Sequence, residues 1–166
     1  MRLDARHVLI AIFAVLVTGC RQADGPVPTP DPGVQDDLHD VGRDLENIAT
    51  ASDPAAPQDL AKDLVHYVDE KPPAAAAVNE LTQRAVRAVA GARLPDQTAQ
   101  RIANNFWLAI NAKELSDRQI EALQNDTQSL LISTGITEEN AKQVAAQMGE
   151  VQKTVTTRQR RWYELF

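Results

Sequence analysis

The chain of 166 residues is poor in cysteine, aromatics and long apolar runs. One cysteine, Cys20, excludes an internal disulfide and any multi-cysteine metal site. Aromatic residues make up 4% of the chain, so a core must be assembled mainly from aliphatic side chains and alanine. No apolar run reaches the roughly 18 residues that mark a membrane-spanning helix. HExxH, EF-hand, P-loop, GxSxG and GxGxxG patterns are all missing, so no familiar motif marks a catalytic or nucleotide site. What is present is ordinary in amount: 43% hydrophobic and 24% charged residues, net charge −6. That composition excludes a collagen-like chain and a wholly disordered one. The length fits one domain with an appended segment.

The appended segment is at the N-terminus. Arg2 and Arg6 outweigh Asp4, and Val8 to Val17 is an unbroken run of ten apolar residues. As a helix this run covers roughly 15 Å, about half a bilayer core. It is too short to span and has the length of a secretory h-region. Val17-Thr18-Gly19-Cys20 follows directly. This resembles the lipobox of bacterial lipoproteins: an aliphatic residue, two small residues, then cysteine. The resemblance implies cleavage after residue 19, with 1–19 as signal peptide, and diacylglycerol plus an acyl chain on Cys20. No other cofactor is expected. Arg21, rather than aspartate, stands second in the mature chain. In the sorting rule of enteric bacteria this implies the outer membrane, facing the periplasm, rather than the inner membrane.

Residues 20–33 read as a tether. Pro26, Pro28, Pro30 and Pro32 fall at every second position. Proline removes backbone donors and forces the preceding residue to extended geometry. A spacer of about 3.1 Å per residue, roughly 40 Å long, is expected.

Residues 34–166 read as an all-α bundle of five or six helices. Val34, Leu38, Val41, Leu45 and Ile48 form one stripe, and Leu60, Leu64, Tyr67 and Val68 another. Ser52-Asp53-Pro54 separates them as stop and cap, and Lys71-Pro72-Pro73 ends the second. A third segment, 73–90, carries Val78, Leu81, Ala85, Ala88 and Val89 and closes at Gly91. Beyond residue 33 no alternating β-branched run or Asn-Gly or Asp-Gly turn competes with this pattern.

The second half repeats at 21 residues. Leu94-Pro-Asp-Gln-Thr-Ala99, Leu115-Ser-Asp-Arg-Gln-Ile120 and Ile136-Thr-Glu-Glu-Asn-Ala141 align, and so do Ile102, Leu123 and Val144. Ser116 with Gln119 is a capping-box pattern, with Leu115 placed to staple on Ile120. Duplication of a helical unit and similar capping of unrelated helices both account for the repeat. The last helix is expected from 138 to about 163, striped by Ala141, Val144, Met148, Val151, Val155 and Trp162. On this spacing Trp162 continues the buried face.

Chemistry is sparse. Asp36/His39 and Asp63/His66 repeat an i, i+3 spacing on the first two helices, and Glu80 could add a carboxylate from the third. Such pairs suit a metal in a helical bundle, and they also suit a solvated acidic face. Residues 20–83 carry 4 basic and 13 acidic side chains, and 84–166 carry 11 and 9. The balance argues against nucleic acid as a partner. The C-terminus, Arg158-Gln-Arg-Arg-Trp-Tyr-Glu-Leu-Phe166, stands apart in composition. Arg158, Arg160, Arg161, Tyr163 and Phe166 are the candidate partner contacts.

Leu115-Ser-Asp-Arg-Gln119 also resembles the Leu-Thr-x-x-Gln motif of small periplasmic stress chaperones and metal sensors, with serine in place of threonine. The expectation from all this is a membrane-anchored lipoprotein without catalysis. Its helical periplasmic domain would bind or support another envelope component. The alternatives are a periplasmic chaperone or sensor, and third a metal-dependent enzyme using Asp36/His39 and Asp63/His66.

Overall fold

The computed structural model describes residues 25–30, 32–67, 74–111 and 115–163, with side chains described as far as Thr156. The expected signal peptide and Cys20 lie outside these residues. A 3-10 turn, Pro32–Val34, leads into six helices: α1 (Gln35–Thr50), α2 (Ala56–His66), α3 (Ala74–Val89), α4 (Asp96–Asn111), α5 (Asp117–Ser133) and α6 (Glu138–Tyr163). Among the described residues there is no strand, so the chain is an all-α bundle. No helix among them is long and apolar enough to cross a membrane.

Most of the stripe residues read from sequence are buried, while Val34 and Tyr67 are half-buried and Val68 lies outside the described residues. Leu38, Val41, Leu45 and Ile48 of α1 are buried, as are Leu60 and Leu64 of α2 and Val78, Leu81, Ala85, Ala88 and Val89 of α3. Helices built this way hide one side and solvate the other. Phe106 is the one aromatic among the largest fully buried side chains. Aliphatics and alanine fill the remaining core, and alanine lets neighbouring backbones approach. Gly42 of α1 belongs to the same logic, because a β-carbon there would lie 3.5 Å from the Gln100 backbone of α4.

Successive helices run antiparallel. Gly42 faces Gln100 and Glu46 faces Asp96, so α1 and α4 oppose each other. The Gly91 amide, just past α3, donates to the Ala49 carbonyl near the end of α1 at 3.1 Å. Gln147 of α6 donates to the Ala77 carbonyl near the start of α3 at 3.1 Å. One end of the bundle therefore holds the short turns 51–55, 90–95 and 134–137. The opposite end holds the start of α1, the end of α2, the end of α4, the start of α5 and the C-terminal part of α6. We call these the turn end and the open end. The most extensive packing is of α1 on α4, α3 on α6 and α5 on α6.

Local chemistry sets the boundaries. The Ser116 hydroxyl accepts from the Gln119 amide at 3.3 Å, and Gln119 Oε1 accepts from the Ser116 amide at 2.9 Å. Both halves of the expected capping box are thus present. Leu115 and Ile120 line one dry apolar gap with Ala109, Leu123 and Met148, as a staple requires. At the end of α5 the Ile136 amide donates to the Leu131 carbonyl and the Gly135 amide to Ile132, a Schellman motif. Gly135 sits at φ +88, where only glycine is unstrained. The end of α1 is closed by the same pair of bonds, Ser52 to Asn47 and Ala51 to Ile48. Here alanine occupies the left-handed position, at φ 52. The cap before α2 differs from expectation. Asp53 Oδ1 accepts from the Ala55 amide at 2.8 Å, which makes a turn, and the helix begins only at Ala56.

The 21-residue repeat marks three equivalent helix starts: Asp96, Asp117 and Glu138. Ile102, Leu123 and Val144 are all buried, and so are Phe106, Thr127 and Met148. The position shared by Asn105, Asp126 and Gln147 makes polar contacts between helices. Asn105 donates to Asp126 at 2.8 Å and to Thr127 at 3.0 Å, and Arg101 pairs with Asp126 at 2.5 Å. This clasp fixes the register of α4 on α5.

The tether departs from a free spacer. Residues 25–30 are without regular structure, as the prolines require, but Val27 packs against the core. Gln119 Nε2 donates to the carbonyls of Gly25 (3.2 Å) and Pro26 (3.1 Å). A proline-rich strand has few amides of its own, so its carbonyls are open to outside donors.

Candidate functional site

The Asp-x-x-His pairs are not brought together as a metal centre. Asp36 and His39 are exposed on α1, and His66 is exposed at the end of α2. His39 acts on Glu46 along its own helix, while Asp63 lies near Asp37 and Asp40. Glu80 is engaged by Arg84 at 2.8 Å and Arg87 at 4.0 Å. Among the described residues no group of three or more His, Cys, Asp or Glu is placed to hold a metal ion.

The antiparallel packing of α1 on α2 instead builds an acidic seam. Asp37, Asp40 and Asp44 follow one another at helical spacing on α1, and Asp59 and Asp63 face them from α2. Asp44 is 7% exposed, flanked by the buried residues Val41 and Leu45. Its carboxyl is pushed up from 3.8 to about 6, first by burial, then by Asp63 and Asp59. Arg43 opposes this, but its guanidinium is 2.8 Å from Asp40. Asp63 is also raised, by burial first and then by Asp40, Asp59 and Asp37 against the opposing pull of Lys62. Tyr67, at the open end of the seam, has a buried hydroxyl with no hydrogen-bond partner among the described residues. Burial and the charges of Asp37, Asp63 and Asp40 push it up to about 12. On the other side of α1, burial and the Asp96 carboxylate beside it raise Glu46.

Burial and like charge at the seam favour the protonated forms of Asp44 and Asp63. The cations beside it are Arg43, paired with Asp40 at 2.8 Å, and Lys62, which acts on Asp63. A second concavity, an open groove of about 310 Å³ between α2 and α3, is lined by Pro57, Ala61, Thr82, Val86 and Arg87 among others. Its only hydroxyl, that of Thr82, is buried and donates to the Val78 carbonyl at 3.0 Å.

Four of the five C-terminal candidates fall on an overhang of α6. Gln152 of α6 shares the apolar gap with Leu115 and Ile120 at the start of α5. The helix continues to Tyr163, on the order of 16 Å further along its axis. Arg158, Arg160, Arg161 and Tyr163 fall on that stretch, and Phe166 lies outside the described residues. The side chains beyond Thr156 are also outside them, including Trp162, expected to continue the buried face. Val155 still packs against the core.

Sequence reasoning missed the seam as a unit. The signal was available: Asp37, Asp40 and Asp44 each stand beside a stripe residue, so packing of the stripe carries them to the edge of the helix interface and buries Asp44. Spacing identifies Gln119 as half of a capping box, but its second role depends on a segment far away in the chain. Searches against protein-family models, curated proteins and solved structures find no match to this chain.

Proposed function

We propose that this protein is a bacterial lipoprotein held on a membrane through Cys20, with a helical domain that binds or supports another component of the cell envelope. The observation that carries this is the run Val8 to Val17 ending in Val17-Thr18-Gly19-Cys20. Multiple acyl chains, at about 0.8 kcal/mol per buried methylene, would make the attachment effectively permanent. Arg21 favours the outer membrane, facing the periplasm. Support for a binding rather than catalytic role comes from the chemistry of the domain. Its acids form a seam between α1 and α2, and Arg158, Arg160, Arg161, Trp162 and Tyr163 fall together on the α6 overhang.

In the chaperone-type motif, Leu115-Ser-Asp-Arg-Gln119, Ser116 and Gln119 form the capping box of α5 and Leu115 lies beside Ile120, tasks that any well-capped helix shares. That leaves the envelope-binding reading ahead.

Mass spectrometry of the mature N-terminus tests the anchor: acylated Cys20 is expected, and an unmodified cysteine refutes it. For the domain, residues 158–166 are deleted from the lipidated protein. Loss of cross-linking to its envelope partner with an unchanged urea midpoint supports the overhang as contact surface. Retained cross-linking removes it from that role.

A further inference from the structure

We propose that the proline-rich tether is a strap docked on the bundle through Gln119, and that docking turns the open end of the domain toward the membrane that holds Cys20. The second half rests on the lipidation proposed above; the first half does not.

The key is the side-chain amide of Gln119. Its oxygen accepts from the Ser116 amide at 2.9 Å and so closes the capping box. Its nitrogen donates to the carbonyls of Gly25 and Pro26. One residue thus starts α5 and holds the strap. Capping alone would be served as well by glutamate, which also suits the positive helix start. Only an amide supplies donors on the far side as well. Val27 adds an apolar contact directly after the two held carbonyls, packed against the core.

Docking changes the reach of the anchor. From Cys20 to Gly25 the chain spans at most about 18 Å. From Cys20 to Val34 an undocked tether spans roughly 43 Å at 3.1 Å per residue. The docked strap therefore more than halves the distance from the anchor. It also fixes which end approaches the bilayer: Gln119 lies in the first turn of α5, at the end over which α6 projects. The short turns at Ser52, Arg93 and Gly135 are then at the distal end.

Pulsed electron–electron resonance tests the strap. Nitroxides are placed at Asp24→Cys and Ser133→Cys in the full chain carrying Cys20→Ser, so lipidation plays no part. Gln119 and Ser133 are about 21 Å apart along α5. A docked strap gives one narrow distribution governed by that length. In Gln119→Glu it broadens and moves to longer distances, while far-UV circular dichroism is unchanged because the capping acceptor remains. A broad distribution in the chain with Gln119, or a narrow one in Gln119→Glu, overturns the strap. Orientation is read on the lipidated chain in vesicles of bacterial phospholipid, labelled at Asp117→Cys or Ser133→Cys. Asp117 is expected to be several-fold less accessible to a water-soluble paramagnetic quencher than Ser133. Equal accessibility overturns the orientation and leaves the strap to the first measurement.

Discussion

Replacing Asp44 by asparagine removes the charge that the α1–α2 packing accommodates least well. In the folded protein the Asp44 carboxyl titrates at about 6, against 3.8 for the free group. Because the folded value is the higher one, the folded state binds the proton more tightly than the unfolded chain. Stability from this group is then full below pH 4 and is lost as pH rises through 6. The move from 3.8 to about 6 corresponds to a ceiling of about 3 kcal/mol, at about 1.36 kcal/mol per pH unit. Water reaches one side of the seam, where the Asp40 side chain is 52% exposed, and it screens the charges. An effect near half the ceiling, about 1.5 kcal/mol, is expected. The asparagine side chain is nearly isosteric with aspartate, so packing is preserved. Urea unfolding of both proteins, from pH 4 to pH 8, reads the difference as a midpoint shift at constant m. Asp44→Asn is expected to be more stable at pH 7.5, with the gain shrinking through pH 6 and absent near pH 4. A difference independent of pH, or a loss of stability at pH 7.5, refutes the assignment of Asp44 as a strained buried acid.

Three further substitutions test the frame. Ser116→Ala removes the acceptor for the Gln119 amide and is expected to cost about 0.5–2 kcal/mol in urea unfolding. Ala51→Gly relieves the left-handed position at the end of α1, and a gain of about 1 kcal/mol in thermal unfolding is expected. Asp126→Ala leaves the buried Asn105 amide with Thr127 alone and frees Arg101, for a loss of about 1–3 kcal/mol. Asn105→Ala in the same background should add little, because the two residues belong to one network.

The fold was legible wherever a single periodicity ruled. Leu38, Val41, Leu45 and Ile48 could be named as core because a helix that buries one face must repeat near 3.6 residues. Ser116 and Gly91 could be named as boundaries because their chemistry is local: a side chain reaching three residues along, and a backbone angle, φ 76 at Gly91, that only glycine takes freely. The break before α2 was legible but its start was misplaced. Asp53 bonds the Ala55 amide in a turn instead of opening the helix at once. The candidate ligands were the least legible. Spacing puts Asp63 and His66 on one face of α2, but only packing decides what that face meets, and it meets Asp37 and Asp40.

The sequence by itself determined a succession of five or six helices, most of their buried stripes, the irregular character of the tether and the resemblance of residues 1–20 to a lipoprotein signal. These rest on interactions within a few residues, so they are written in order along the chain. The tertiary structure alone decided which helices touch. It set Asp44 against Asp59 and Asp63, aimed the Gln119 amide at Gly25 and Pro26, 94 and 93 residues away, and left the end of α6 projecting past the start of α5. Such contacts depend on how whole helix faces fit together, and the energy of that fit is shared over the core rather than carried by any one short motif.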